Sequence, residues 1–175
     1  MTRLFYVVFF FISSTTFYCQ DNVARLITII GSQVTFNFNS ISKHSTGITK
    51  TNRTRFGVRF SDLTGGASGV TQWKVTAEPA SGSATINGDG GANTLNINVL
   101  EVQATDANGG LAGSTFSGWQ ILGNGTPLVT SSTIPALATN QQIDISYRCG
   151  VTNSVFDSTS DYYEIEIDFV LSPVP

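Results

Sequence analysis

The sequence predicts an all-β chain: a single antiparallel β-sandwich, immunoglobulin-like or pilin-like, behind a signal peptide. Three observations carry this. Six segments alternate apolar and polar residues with period two, the pattern of strands with one face on a core and one in water. Stretches rich in Gly, Asn and Asp, which favour turns, separate them. Charged residues are only 12% of the chain while hydrophobic residues are 41%. Polarity therefore comes from Thr, Ser, Asn and Gly, which suit strands and turns.

The elements follow in chain order. Arg3, the apolar run Leu4 to Ile12 and the small or polar residues Ser13 to Cys19 have the layout of a secretory signal. The apolar run is too short for a bilayer, which takes about 20 residues. Cleavage after Cys19 makes residues 1–19 the signal peptide and residues 20–175 the domain. Acylation of Cys19, giving a lipid-anchored protein, is the alternative; bulky Tyr18 disfavours it. Either outcome implies export to the cell surface or beyond, with no transmembrane span.

Arg25 to Ile30 is a short apolar strand candidate. Val34, Phe36 and Phe38 alternate with Gln33, Thr35, Asn37 and Asn39 as the next strand. The polar residues from Asn39 to Arg53 lack a period and read as an exposed loop. Phe56, Val58 and Phe60 alternate with Arg55, Gly57 and Arg59; Trp73, Val75 and Ala77 with Gln72, Lys74, Thr76 and Glu78. Leu95, Ile97 and Val99 form another such set, and Trp119 to Leu122 and Leu128 to Thr130 are shorter candidates. Ile143, Ile145 and Tyr147 place Cys149 on their buried face as a structural thiol. In the last strand Tyr163, Ile165, Ile167, Phe169 and Leu171 alternate with Glu164, Glu166, Asp168 and Val170.

Catalytic chemistry finds little support. His44 is the only histidine, and no nucleophile elbow surrounds it, so a Ser-His-Asp triad is not expected. Zinc would need several His or Cys ligands. Glu164, Glu166 and Asp168 are carboxylates spaced by two, which reads as a solvated strand face before a glycosidase pair. Asn87, Asp89 and Asn93, with Asp106 and Asn108, supply oxygen atoms that calcium uses, but turns use the same residues. The expectation is a non-enzyme with no cofactor and no metal.

Charge is uneven. From Gln20 to Lys74, seven basic residues face two acidic ones; from Val75 onward, one basic residue faces ten acidic ones. A nucleic-acid partner is not expected from this balance. The candidate interaction surface comprises Arg53, Arg55 and Arg59 on one strand and Glu164, Glu166 and Asp168 on another. Two readings stay open: neighbouring strands joined by cross-strand ion pairs, or separate surfaces that meet between copies, with Arg25 to Ile30 donated as a strand.

The arrangement resembles the WxL-type cell-surface domain. Trp73-Lys74-Val75 is similar to its first Trp-x-Leu motif, and Phe169-Val170-Leu171, after Tyr163 and before Pro173, is similar to the second. Val75 stands for Leu and Phe169 for Trp. The resemblance covers Trp73 to Pro175, with Trp73, Phe169 and Leu171 as its motif core. It implies noncovalent attachment to a Gram-positive cell wall through peptidoglycan. Trp73 also fits a plain core tryptophan between two sheets. Three functions follow: a surface-binding or attachment domain, whose partner is a cell-surface or cell-wall component; a pilin-like or fimbrial subunit, whose partner is another copy; and, least favoured, a secreted enzyme.

Overall fold

A computed structural model describes residues 23–31, 33–61, 72–131 and 141–174. The expected signal peptide and Cys19 lie outside the described residues. Strands take up 50% of the structure and helix 7%, and antiparallel sheets pack against each other. The all-β sandwich expected from the alternation is the observed fold.

The strands are β1 (Val23–Ile30), β2 (Ile48–Ser61), β3 (Gln72–Pro79), β4 (Thr85–Asn87), β5 (Thr94–Asn96), β6 (Leu100–Asp106), β7 (Thr115–Phe116), β8 (Gln120–Ile121), β9 (Val129–Thr130), β10 (Gln142–Cys149) and β11 (Ile167–Val174). One sheet has the order β1-β2-β10-β6-β8, the other β11-β3-β9-β7; β4 and β5 form a separate hairpin. The inward residues form one core. Val58, Val75, Val102, Val129, Ile143 and Ile145 are all but fully buried, and Phe56 meets Phe169 across the sandwich with ring centroids 5.0 Å apart.

The structure corrects several sequence expectations. Residues 39–53 are not one polar loop. They contain helix α1 (Ile41–Thr46), capped by Ser40, whose side chain accepts from Lys43 N, and closed by Gly47 at φ 71°. The helix is too short for a period to register, and the β-branched residues after it begin β2. Ile97–Val99 is a turn of 3-10 helix rather than strand, because Asn96 caps it through Asn98 N. Strand β6, between β10 and β8, carries no expectation from the pattern: its outward Glu101 is itself buried.

β1 is not a free strand. It pairs antiparallel with β2, Ala24 against Phe60 through Ile30 against Arg55. Leu26 faces the core, and the ladder holds the segment within its own chain, so donation of Arg25 to Ile30 to a neighbour is set aside.

Candidate functional site

Past Ile30 the chain leaves the ladder. At Gly31, φ is 64°, and a Cβ there would collide with the carbonyl oxygen of Arg53, so only glycine fits the close approach. Residues 33–39 then alternate between exposed and half-buried, as a strand does. Val34, Phe36 and Phe38 pack on the core. Among the described residues, however, no backbone–backbone hydrogen bond reaches this segment. Its backbone is met only by side chains: Lys43 Nζ donates to Asn37 O at 3.4 Å and His44 Nε2 to Phe38 O at 3.0 Å. The period of a strand is present here without the ladder of one.

This segment lines a groove of about 1580 Å³. Residues 158–167 line it too, and Phe56, Leu100, Tyr147 and Cys149 give it an apolar floor continuous with the core. Residues 163–166 keep their predicted alternation but join no strand before β11 begins: Tyr163 bridges Gly88, and Glu166 O accepts from Ala80 N at 2.9 Å. The groove thus has strand-like segments along it, an apolar floor and a rim of Thr, Asn, Ser and Asp. His44, read from sequence as a plain surface residue, is a half-buried groove residue with its ring 5.3 Å from Phe38.

The charged candidates are not brought together. β2 belongs to one sheet and β11 to the other, so cross-strand pairing between Arg55 or Arg59 and Glu164, Glu166 or Asp168 does not occur. Arg55 is instead bound to Asp144 through Nε and Nη2, at 2.6 and 2.8 Å. This contact was hidden in the sequence because β10 lies about ninety residues away and pairs Asp144 with Arg55 only in the folded register. Arg53, Arg59, Glu164, Glu166 and Asp168 are exposed. Among the described residues no cluster of His, Cys, Asp and Glu has metal-site geometry. Asp106 caps its own loop, accepting from the backbone N–H of Asn108, Gly109 and Leu111.

The motif strands are neighbours. β3 pairs with β11, placing Trp73 opposite Pro173, Val75 opposite Leu171 and Ala77 opposite Phe169. Trp73, Val75, Ala77, Phe169 and Leu171 face the core, Pro173 is exposed, and Trp73 is only 1% exposed. Trp73 is therefore a core residue, held from both sides of its backbone: Ser131 Oγ accepts from Trp73 N, and Ser131 N donates to Trp73 O.

Cys149 sits in the groove floor. Burial pushes its thiol up to about 12, leaving almost no thiolate near neutral pH. Labelling with iodoacetamide at pH 8 is expected to be at least about a hundredfold slower in the native protein than in urea. Equal rates would place Cys149 at the surface.

Among the described residues no helix is long and apolar enough to cross a membrane. No protein-family model matches the chain, and no curated protein matches it.

Proposed function

We propose that this chain is an exported, non-enzymatic binding module of the cell surface, and that it captures an extended polypeptide strand in its groove. One observation carries the reading: residues 33–39 alternate like a strand, bury Val34, Phe36 and Phe38 against the core, and lack a ladder partner among the described residues. Free main-chain donors and acceptors over an apolar floor are what an added strand uses; the main chain gives affinity and alternate side chains fill the pockets. The charge-poor, Thr- and Asn-rich composition and the signal-like residues 1–19 support a place outside the cell. The resemblance of Trp73-Lys74-Val75 and Phe169-Val170-Leu171 to the WxL motifs motivates a partner on the cell wall. A wall contact through Trp73 itself finds no support, because that side chain is inside.

The test is a titration of isotope-labelled protein with an eight-residue peptide of alternating valine and threonine. Saturable shifts at the amides of Gln33 to Asn39, lost when alternate peptide nitrogens are methylated, are the expected result. Phe36→Asp, which places a charge on the apolar side of the segment, abolishes them. Retention on purified peptidoglycan that is indifferent to Phe36→Asp, with no peptide shifts, would move the function to another surface.

A further inference from the structure

Two faults in the outer faces of the sheets match each other. On the first sheet, the register sets Arg25 directly opposite Arg59. On the second, it sets Glu78 directly opposite Asp168. All four side chains are exposed, and like charges facing each other across a ladder are destabilising. Among the described residues neither pair is relieved by an ion pair: those present are Arg55 with Asp144 and Arg148 with Glu101.

Each pair also has an apolar neighbour at the same pitch. Ile27 and Ile29, 47% and 48% exposed, follow Arg25 on the outer face of β1. They flank Gly57, whose missing side chain leaves a shallow seat beside Ile29 Cδ1 and Ile27 Cβ. On β11, Val170 follows Asp168 on the outer face and is 40% exposed. Residues two apart on one strand face lie about 7 Å apart, so the spacing from charge to apolar group is common to both surfaces while the charge is opposite.

We propose that these faces bind each other between copies: Arg25 and Arg59 of one copy meet Glu78 and Asp168 of the next, and Val170 seats over Gly57 between Ile27 and Ile29. The partner is a second copy of this chain, chosen by charge complementarity and matched pitch. The surfaces are unlike, so the contact is heterologous and propagates into rings or filaments instead of closing as a two-fold dimer. Apolar burial supplies affinity, and the four charges set orientation, because exposed ion pairs are individually weak. None of these residues lines the groove, so the contact is independent of strand capture.

Sedimentation velocity on the secreted chain tests this. Assemblies larger than dimers are expected at low salt, dissociating as salt screens the contact. The double variants Arg25→Glu/Arg59→Glu and Glu78→Arg/Asp168→Arg should each weaken association by about tenfold or more while keeping the native circular dichroism spectrum. Mixing the two should restore assembly, because one then offers only acidic faces and the other only basic faces. A wild-type protein that stays monomeric at low salt, or stops at a dimer, overturns the proposal; so do charge variants that assemble like wild type. Peptide capture in the groove is unchanged in these variants, which separates the two readings.

Discussion

Trp73→Ala is expected to destabilise the protein by about 3–5 kcal/mol, the usual cost of deleting a large buried aromatic side chain. Trp73 is the largest side chain among those with almost no exposure, and it lies between the two sheets with Val75 and Val129 as neighbours in the core. The cavity cannot refill from the backbone, because Ser131 pins Trp73 on β3 through two hydrogen bonds. Trp73→Phe should cost less than half as much. The indole Nε1 has no partner among the described residues, so phenylalanine removes volume and at the same time an unpaired donor. Urea denaturation followed by tyrosine fluorescence or circular dichroism gives both values. An unchanged midpoint for Trp73→Ala would mean that the residue is a surface platform and not part of the core.

Removing Glu101 should be as severe. Its carboxylate takes two bonds from Arg148, at 2.8 and 2.7 Å, and Arg148 also lies 4.6 Å above the Trp119 ring. Glu101→Ala leaves a largely buried guanidinium without its anion, which costs about 3–5 kcal/mol. Glu101→Leu combined with Arg148→Met should recover most of that loss, because the penalty belongs to the stranded charge and not to the missing bond. A double variant as unstable as the single one would show that packing, and not charge, sets the cost. The same pair predicts an acid limb. Burial alone would raise the Glu101 carboxyl, but hydrogen bonds from Arg148 and Thr152 and the Arg148 charge outweigh it and hold it below its ordinary 4.5. Its contribution is therefore complete above about pH 4.5 and disappears as pH falls through the lower folded value. Denaturation midpoints measured between pH 6 and pH 3 should fall for wild type and fall less for the Leu/Met variant.

The fold was legible wherever one strand face meets water. Phe56, Val58 and Phe60 against Gly57 and Arg59, or Ile167, Phe169 and Leu171 against Asp168 and Val170, announce a period of two without help from context. β6 was not legible. Its outward Glu101 is buried under Arg148, so the polar face that usually marks a strand points into protein. Partnership was the second hidden property. Residues 33–39 alternate as cleanly as any strand, yet nothing in an alternation says whether a ladder exists beside it; the chain leaves the β1 ladder at Gly31, where only a residue without Cβ fits beside the Arg53 carbonyl. Among the charges of the candidate surface, Arg55 is half-buried and the others are exposed, and which partners they find depends on strand order. Asp144 claims Arg55, and Arg25 falls opposite Arg59, because β2 has β10 on one side and β1 on the other.

The strand order of the first sheet also sets the time at which the protein can exist. β10 is its middle strand, joining β2 to β6, and the Arg55–Asp144 pair closes a separation of 89 residues. Until β10 has been synthesised, β1 and β2 form only a two-stranded ribbon with its apolar face open, which is marginal in water. A nascent chain therefore cannot complete this sheet early, and its folding is dominated by distant pairings that are slow to close. The chain therefore stays a flexible thread through most of its synthesis and becomes a solid only once β10 has joined its two neighbours.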